Sequence, residues 1–129
     1  MKKTIALLVT LDTKDQEAGF LRDQIQNMGH EAFLIDIGVV GEPGIKADLT
    51  REEVINTGGG DLQELLKNPT REAANPYVKE GCIKTLTSKI AANEVHAVLG
   101  LGGTQGTSTC CDVMQALPYG FPKVMVSTM

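Results

Sequence analysis

Four short stretches of nearly continuous apolar residues punctuate the chain, at 4–10, 32–36, 95–101 and 123–127. Runs of this length that lack polar alternation are what strands show when a sheet is covered on both faces. Between them, apolar positions recur at helical spacing. Residues 14–28 carry Leu21, Ile25 and Met28 at i, i+4 and i+7, and Gly29 supplies the stop. Val78, Cys82, Leu86 and Ile90 form an i+4 ladder in a helical stretch over 70–93. Its main helix is expected to start close to Pro76, because proline is tolerated only near a first turn. After residue 107, Cys110, Val113, Met114 and Leu117 share a face that ends at the Pro118-Tyr119-Gly120-Phe121-Pro122 turn. Two shorter helices are marked by their caps. Thr50 with Glu53 makes a capping box for one that ends at Gly58-Gly59-Gly60, and Asp61 caps another through Lys67, stopped by Asn68-Pro69.

Buried strands alternating with amphipathic helices predict an α/β domain, a doubly wound, Rossmann-like parallel sheet of about four strands. Crossovers must be right-handed, and a long excursion separates strands two and three. Strand three then returns on the far side of strand one, giving the order 2-1-3-4. Ligands of such sheets sit at the carboxyl ends of the strands where the order reverses. Two turns converge there: residues 11–14, and the glycine-rich residues 100–107.

Composition narrows the classes. At 129 residues, with 42% hydrophobic and 22% charged, the chain is sized for a single domain over 1–129 with one core. A net charge of -4 without blocks argues against a nucleic-acid or membrane footprint. The amino-terminal apolar run, Ile5 to Val9, is too short for a signal peptide and is followed by Asp12. With no stretch approaching the ~20 apolar residues of a membrane helix, a cytoplasmic location is expected. Cys82, Cys110 and Cys111 have no metal-ligand spacing and read as thiols on helix faces in a reducing compartment.

The strongest chemical signal is the second turn. Gly100, Gly102, Gly103 and Gly106 lie between a buried strand and an amphipathic helix. Glycines let backbone approach a ligand, and the free amides and dipole of a helix N-terminus attract an anion. Thr104, Thr107 and Ser108 add hydroxyls for a phosphate, or one of them caps the helix while the glycines serve only a tight turn. A P-loop would need a lysine directly after its second glycine, but Thr107 follows Gly106. A dinucleotide fingerprint would need one residue fewer between glycines and an acid at the end of the next strand, where Ser127 and Thr128 stand. ATP, or another mononucleotide held by a non-Walker glycine loop, is favoured over NAD.

At the first turn, Lys14 is a candidate point charge for a phosphate, and Asp12 a candidate Mg²⁺ ligand, directly or through water. The alternative is that Asp12 or Thr13 caps the helix and Lys14 is solvated. Asp36, ending strand two, is placed to reach a ribose hydroxyl or simply to end its strand. His30 and His96 fall at the opposite end of the strands and read as structural, so no nucleophile-histidine arrangement follows. Glu17, one turn into the first helix, complements the helix dipole.

The turn Val9-Thr10-Leu11-Asp12-Thr13-Lys14, the loop at 100–107 and the ending at 116–128 together resemble the tomato mosaic virus resistance protein family, with its Tm-one-like ATP-binding domain. The resemblance implies an ATP-binding α/β fold of two subdomains, and for the plant member inhibition of viral RNA replication, a role not carried over here. It supports Asp12, Lys14, Gly102, Gly103, Thr104, Gly106 and Thr107 as the nucleotide site. Loops of that family often read Gly-Gly-Ser-Gly-Gly-Thr, and Thr104-Gln105 stands here in place of Ser-Gly. Members of that family continue well past strand four, so the chain reads as the N-terminal subdomain, or a fragment of it. A missing C-terminal subdomain or a partner chain would complete the cleft.

The expectation is an ATP-binding domain, with Mg²⁺ near Asp12 and a nucleotide or phosphorylated small molecule as partner, and a homo-oligomer compatible with it. Two alternatives remain at this point: an enzyme acting on a phosphorylated or nucleotide-linked metabolite, and a protein-interaction module whose glycine loop is only a turn.

Overall fold

A computed structural model of the chain describes residues 2–128; Met1 and Met129, the two ends of the single domain expected over 1–129, lie outside the described residues. The elements are β1 (Thr4–Val9), α1 (Asp15–Asn27), β2 (Glu31–Asp36), α2 (Arg51–Thr57), α3 (Leu62–Leu66), α4 (Arg71–Ala91), β3 (Ala97–Gly102), α5 (Thr104–Gln115) and β4 (Lys123–Ser127). The four strands form one all-parallel sheet in the order β2-β1-β3-β4. This is the doubly wound arrangement expected from the alternation.

Strand periodicity divides the core into two layers. Leu7, Val9 and Leu34 turn to the face covered by α1, where Ala18 and Ile25 meet them. Ala6, Leu8, Ile35 and Val98 turn to the opposite face, beneath Val54 of α2, Val78, Cys82 and Leu86 of α4, and Val113 of α5. Because β1 lies inside the sheet, Leu7, Leu8 and Val9 are all fully buried, which is why that segment reads as unbroken hydrophobicity. Gly81 sets the crossing of α2 on α4, since a Cβ there would run into the Val54 carbonyl.

Both caps around α2 and α3 form as read. Thr50 and Glu53 make a reciprocal capping box, and Asp61 accepts from the Gln63 amide. The start of α4 differs from the expectation. Thr70 caps it through the Ala73 amide, so Pro76 lies in the helix interior, five residues past Arg71. Proline there removes only the amide that would bond to the Glu72 carbonyl, and both residues are exposed. Burial of Ala74 and Val78 on the sheet holds the turn together.

At the amino-terminal edge, the two histidines act as structural acceptors. The Lys3 amide donates to His30 Nδ1 and the Thr4 amide to His96 Nδ1, each at 3.0 Å. They tie the entry of β1 to the segments that precede β2 and β3. Among the described residues, no helix is long and apolar enough to cross a membrane.

Candidate functional site

At the carboxyl edge, β1 and β3 diverge into the two turns that bracket the switch point. The first turn closes on the Thr10 carbonyl, which accepts from the Thr13 and Lys14 amides. Asp12 projects from it with its two oxygens in different surroundings. Oδ2 accepts from the Gly41 amide at 3.2 Å. Oδ1 is buried and, among the described residues, is the one buried side-chain oxygen or nitrogen left without a hydrogen-bond partner. Such an atom carries a desolvation cost that a ligand, ion or water in contact with it would offset.

Asp36 stands beside it at the end of β2. It is 3% exposed, and its Oδ1 accepts from the Leu11 amide at 3.2 Å and the Gly38 amide at 2.8 Å. Burial is the main influence on this carboxyl, pushing its pKa above the ordinary value; the Asp12 charge adds to the rise. The amides of Gly38 and Leu11, and the Arg51 guanidinium, oppose it. Gly38 is necessary to this arrangement: a Cβ there would stand 2.9 Å from Asp12 Oδ1 and 3.2 Å from Asp36 Oδ1. Asp36 thus braces the two turns, and its remaining edge lines a broader cleft with Thr50 and Arg51.

The loop after β2 is fastened over α1. Arg51 donates to the carbonyls of Val39 and Gly41, the Gly44 amide donates to the Leu11 carbonyl at 2.9 Å, and Gly44 packs against Asp15. Neither Asp12 nor Thr13 caps α1, whose first turn carries Asp15 and Glu17. The Lys14 ammonium lies 3.8 Å from the Glu17 carboxylate. An α1 N-terminus that is acidic and overlaid by the loop is a poor seat for an anion.

The N-terminus of α5 has the opposite character. Its N-cap is Gly103, no side chain caps it, and its first turn holds no acidic residue. The glycines of this loop divide by role. Gly100 and Gly102 are packing positions: a Cβ would press on Cys110 at the first and on the Gly106 backbone, 2.8 Å away, at the second. Gly103 and Gly106 have no neighbour closer than 3.9 Å to an added Cβ. Thr107 Oγ1 is engaged with the Gly102 carbonyl at 3.2 Å and the Ser127 hydroxyl at 2.9 Å, so it joins α5 to the end of β4. Thr104 and Gln105 are exposed on the first turn.

Three polar residues at this edge were not foreseen: Arg71, Asn75 and Thr109. Arg71 Nη1 donates to Gln105 Oε1 at 3.0 Å, which puts a guanidinium beside the α5 N-terminus. Thr109 Oγ1 meets Asn75 Oδ1 at 3.4 Å. With Thr10, Asp12 and Gly106 these residues surround a cavity of about 20 Å³, room for one water or one small ion. The obtainable signal was the i, i+4 spacing of Arg71 and Asn75, which places them on one side of α4 only once the helix begins at Thr70.

The features define a doubly wound α/β domain with a polar cleft at its topological switch point, one wall acidic and the other rich in free amides. The profile described as the uncharacterised protein family UPF0261, N-terminal domain, matches residues 3–129, and the chain belongs to that family. It is similar to a UPF0261 protein of Clostridium tetani, 37% identical over all of this chain and 32% of the relative. Relatives in Mesorhizobium japonicum, 32% identical over 98% of this chain and 31% of theirs, and Brucella suis, 28% identical over 97% and 30%, carry the same family name. The chain spans about a third of the length of these relatives.

Proposed function

We propose that this domain binds ATP through its phosphates, on the loop of Gly102, Gly103, Thr104 and Gly106 and the first turn of α5, with Mg²⁺ beside Asp12. The observation that carries the reading is the contrast between the two helix N-termini at one sheet edge. The α5 terminus is uncapped, free of acids and flanked by Arg71, whereas α1 is acidic and overlaid. Arg71 therefore supplies a cation beside the phosphates, the role for which Lys14 is the candidate at the first turn. A guanidinium suits a phosphate because its donors match two oxygens at once.

The orphaned Asp12 Oδ1 fits a divalent cation, which prefers hard oxygen ligands and keeps phosphates and waters as its others. Among the described residues no group of three or more His, Cys, Asp or Glu side chains is placed to hold a metal, so the site suits a nucleotide-borne ion. Resemblance to the tomato mosaic virus resistance protein family points the same way. Thr107 acts as a positioning residue through its bond to Gly102, and Asp36 by bracing the turns. Asp36 also offers its one open edge to a ribose.

Isothermal titration of a full-length family protein carrying this domain tests the reading. Mg-ATP is expected to bind, and to bind at least tenfold more weakly after Arg71→Ala. Absence of heat at millimolar Mg-ATP with the fold intact would overturn it. A second reading, an enzyme acting on a phosphorylated metabolite, is favoured by the proximity of Asp12 to a carboxyl with a raised pKa. Turnover lost in Asp12→Ala while binding survives would select it.

A further inference from the structure

The sheet is covered unequally. On one face α4 and α5 lie over β1, β3 and β4. On the other, α1 packs on β1 and β2. Among the described residues, no helix lies above the half of that second face formed by β3 and β4. Leu99 pairs with Val124 and Leu101 with Val126, and strand alternation aims all four to the α1 side. Val124 is 55% exposed, Val126 42%, and Phe20 at the flank of α1 62%. Phe20, Leu21, Leu101 and Val126 line an open groove of about 530 Å³ there. Contiguous apolar surface of this kind marks a contact site.

We propose that this shelf is the seat of the C-terminal part of the family protein, docked through an apolar helix face. The argument rests on length and handedness. The relatives carry about twice as much chain again beyond the matched region, ample for a covering layer. A strand added outside β4 would continue in the direction of β3 to β4, and a right-handed crossover would put its helix on the α5 face. The covering element is therefore not that next helix. It is a later one that crosses back to lie beside α1, as two-sided burial of a parallel sheet requires. Leu101 and Val126 immediately precede Gly102 and Ser127, so the docked element also borders the glycine loop.

Thiol accessibility in a full-length family protein carrying this domain tests the proposal. Val126→Cys and, separately, Phe20→Cys are placed in a Cys111→Ser background and labelled under native conditions, with peptide mass mapping to identify the site. Tyr119→Cys, at a fully exposed turn position away from the shelf, is the reference. Both shelf positions are expected to react at least about a hundredfold more slowly than Tyr119→Cys, because local opening then limits the reaction. Labelling at the reference rate overturns the proposal. Protection that vanishes on dilution to the monomer also overturns it, by assigning the shelf to a second copy. The measurement uses no nucleotide, so its result is independent of whether ATP binds.

Discussion

The two oxygens of Asp12 have different partners, and the difference predicts what substitution does. Asp12→Asn keeps an acceptor for Gly41 and removes the charge, so it should leave stability nearly unchanged while weakening Mg-ATP relative to metal-free nucleotide, as titration with and without Mg²⁺ would read. Asp36 behaves in the opposite sense. Its carboxyl has a folded pKa above its unfolded one, so the protonated form favours folding and stability declines as pH rises from the unfolded value through the folded one. Asp36→Asn keeps an acceptor for the Leu11 and Gly38 amides without a charge to bury. It should melt higher than the parent at pH 7, and the advantage should shrink as the pH is lowered through that window. At Gly102 the constraint is steric. Gly102→Ala forces a methyl to 2.8 Å from Gly106 Cα and should cost about 1–3 kcal/mol in urea denaturation.

Among the elements, strands and caps were more legible than the long helix. β1 is buried on both faces and β3 is buried at every position but Ala97 and Leu99, so hydrophobicity alone marks them, and Thr50, Glu53 and Asp61 announce their helices by local chemistry. Pro76 signals locally against a helix that burial of Ala74 and Val78 sustains, so the sequence alone places the start of α4 too late. That displacement concealed Arg71 and Asn75, and with them the cationic side of the site. No local pattern reports that a side chain at 71 will meet one at 105. Pro76→Ala should restore the missing backbone bond and raise stability by about 1–3 kcal/mol, less the freedom the unfolded chain gains. A thermal melt would show it as a higher midpoint.

In the whole molecule, the same packing that builds the core silences two of its thiols. Cys82 and Cys110 are fully buried. Burial first, and then the neighbouring Cys111, push the Cys110 thiol up to about 12, while burial drives Cys82 higher still. A thiolate reagent should therefore modify this domain only at Cys111 under native conditions, and at all three positions in denaturant, as mass spectrometry would count.

The charge contrast at the carboxyl edge also gives the cleft a direction. Acids at the start of α1 and bare amides with a guanidinium at the start of α5 form an electric gradient along a single sheet edge. A molecule with distinguishable ends will experience a torque as well as an attraction on approach. Its anionic end will be drawn toward β3 and its cationic or metal-bearing part toward β1. Orientation is thus selected before close contact, and the reversed pose is penalised at both ends.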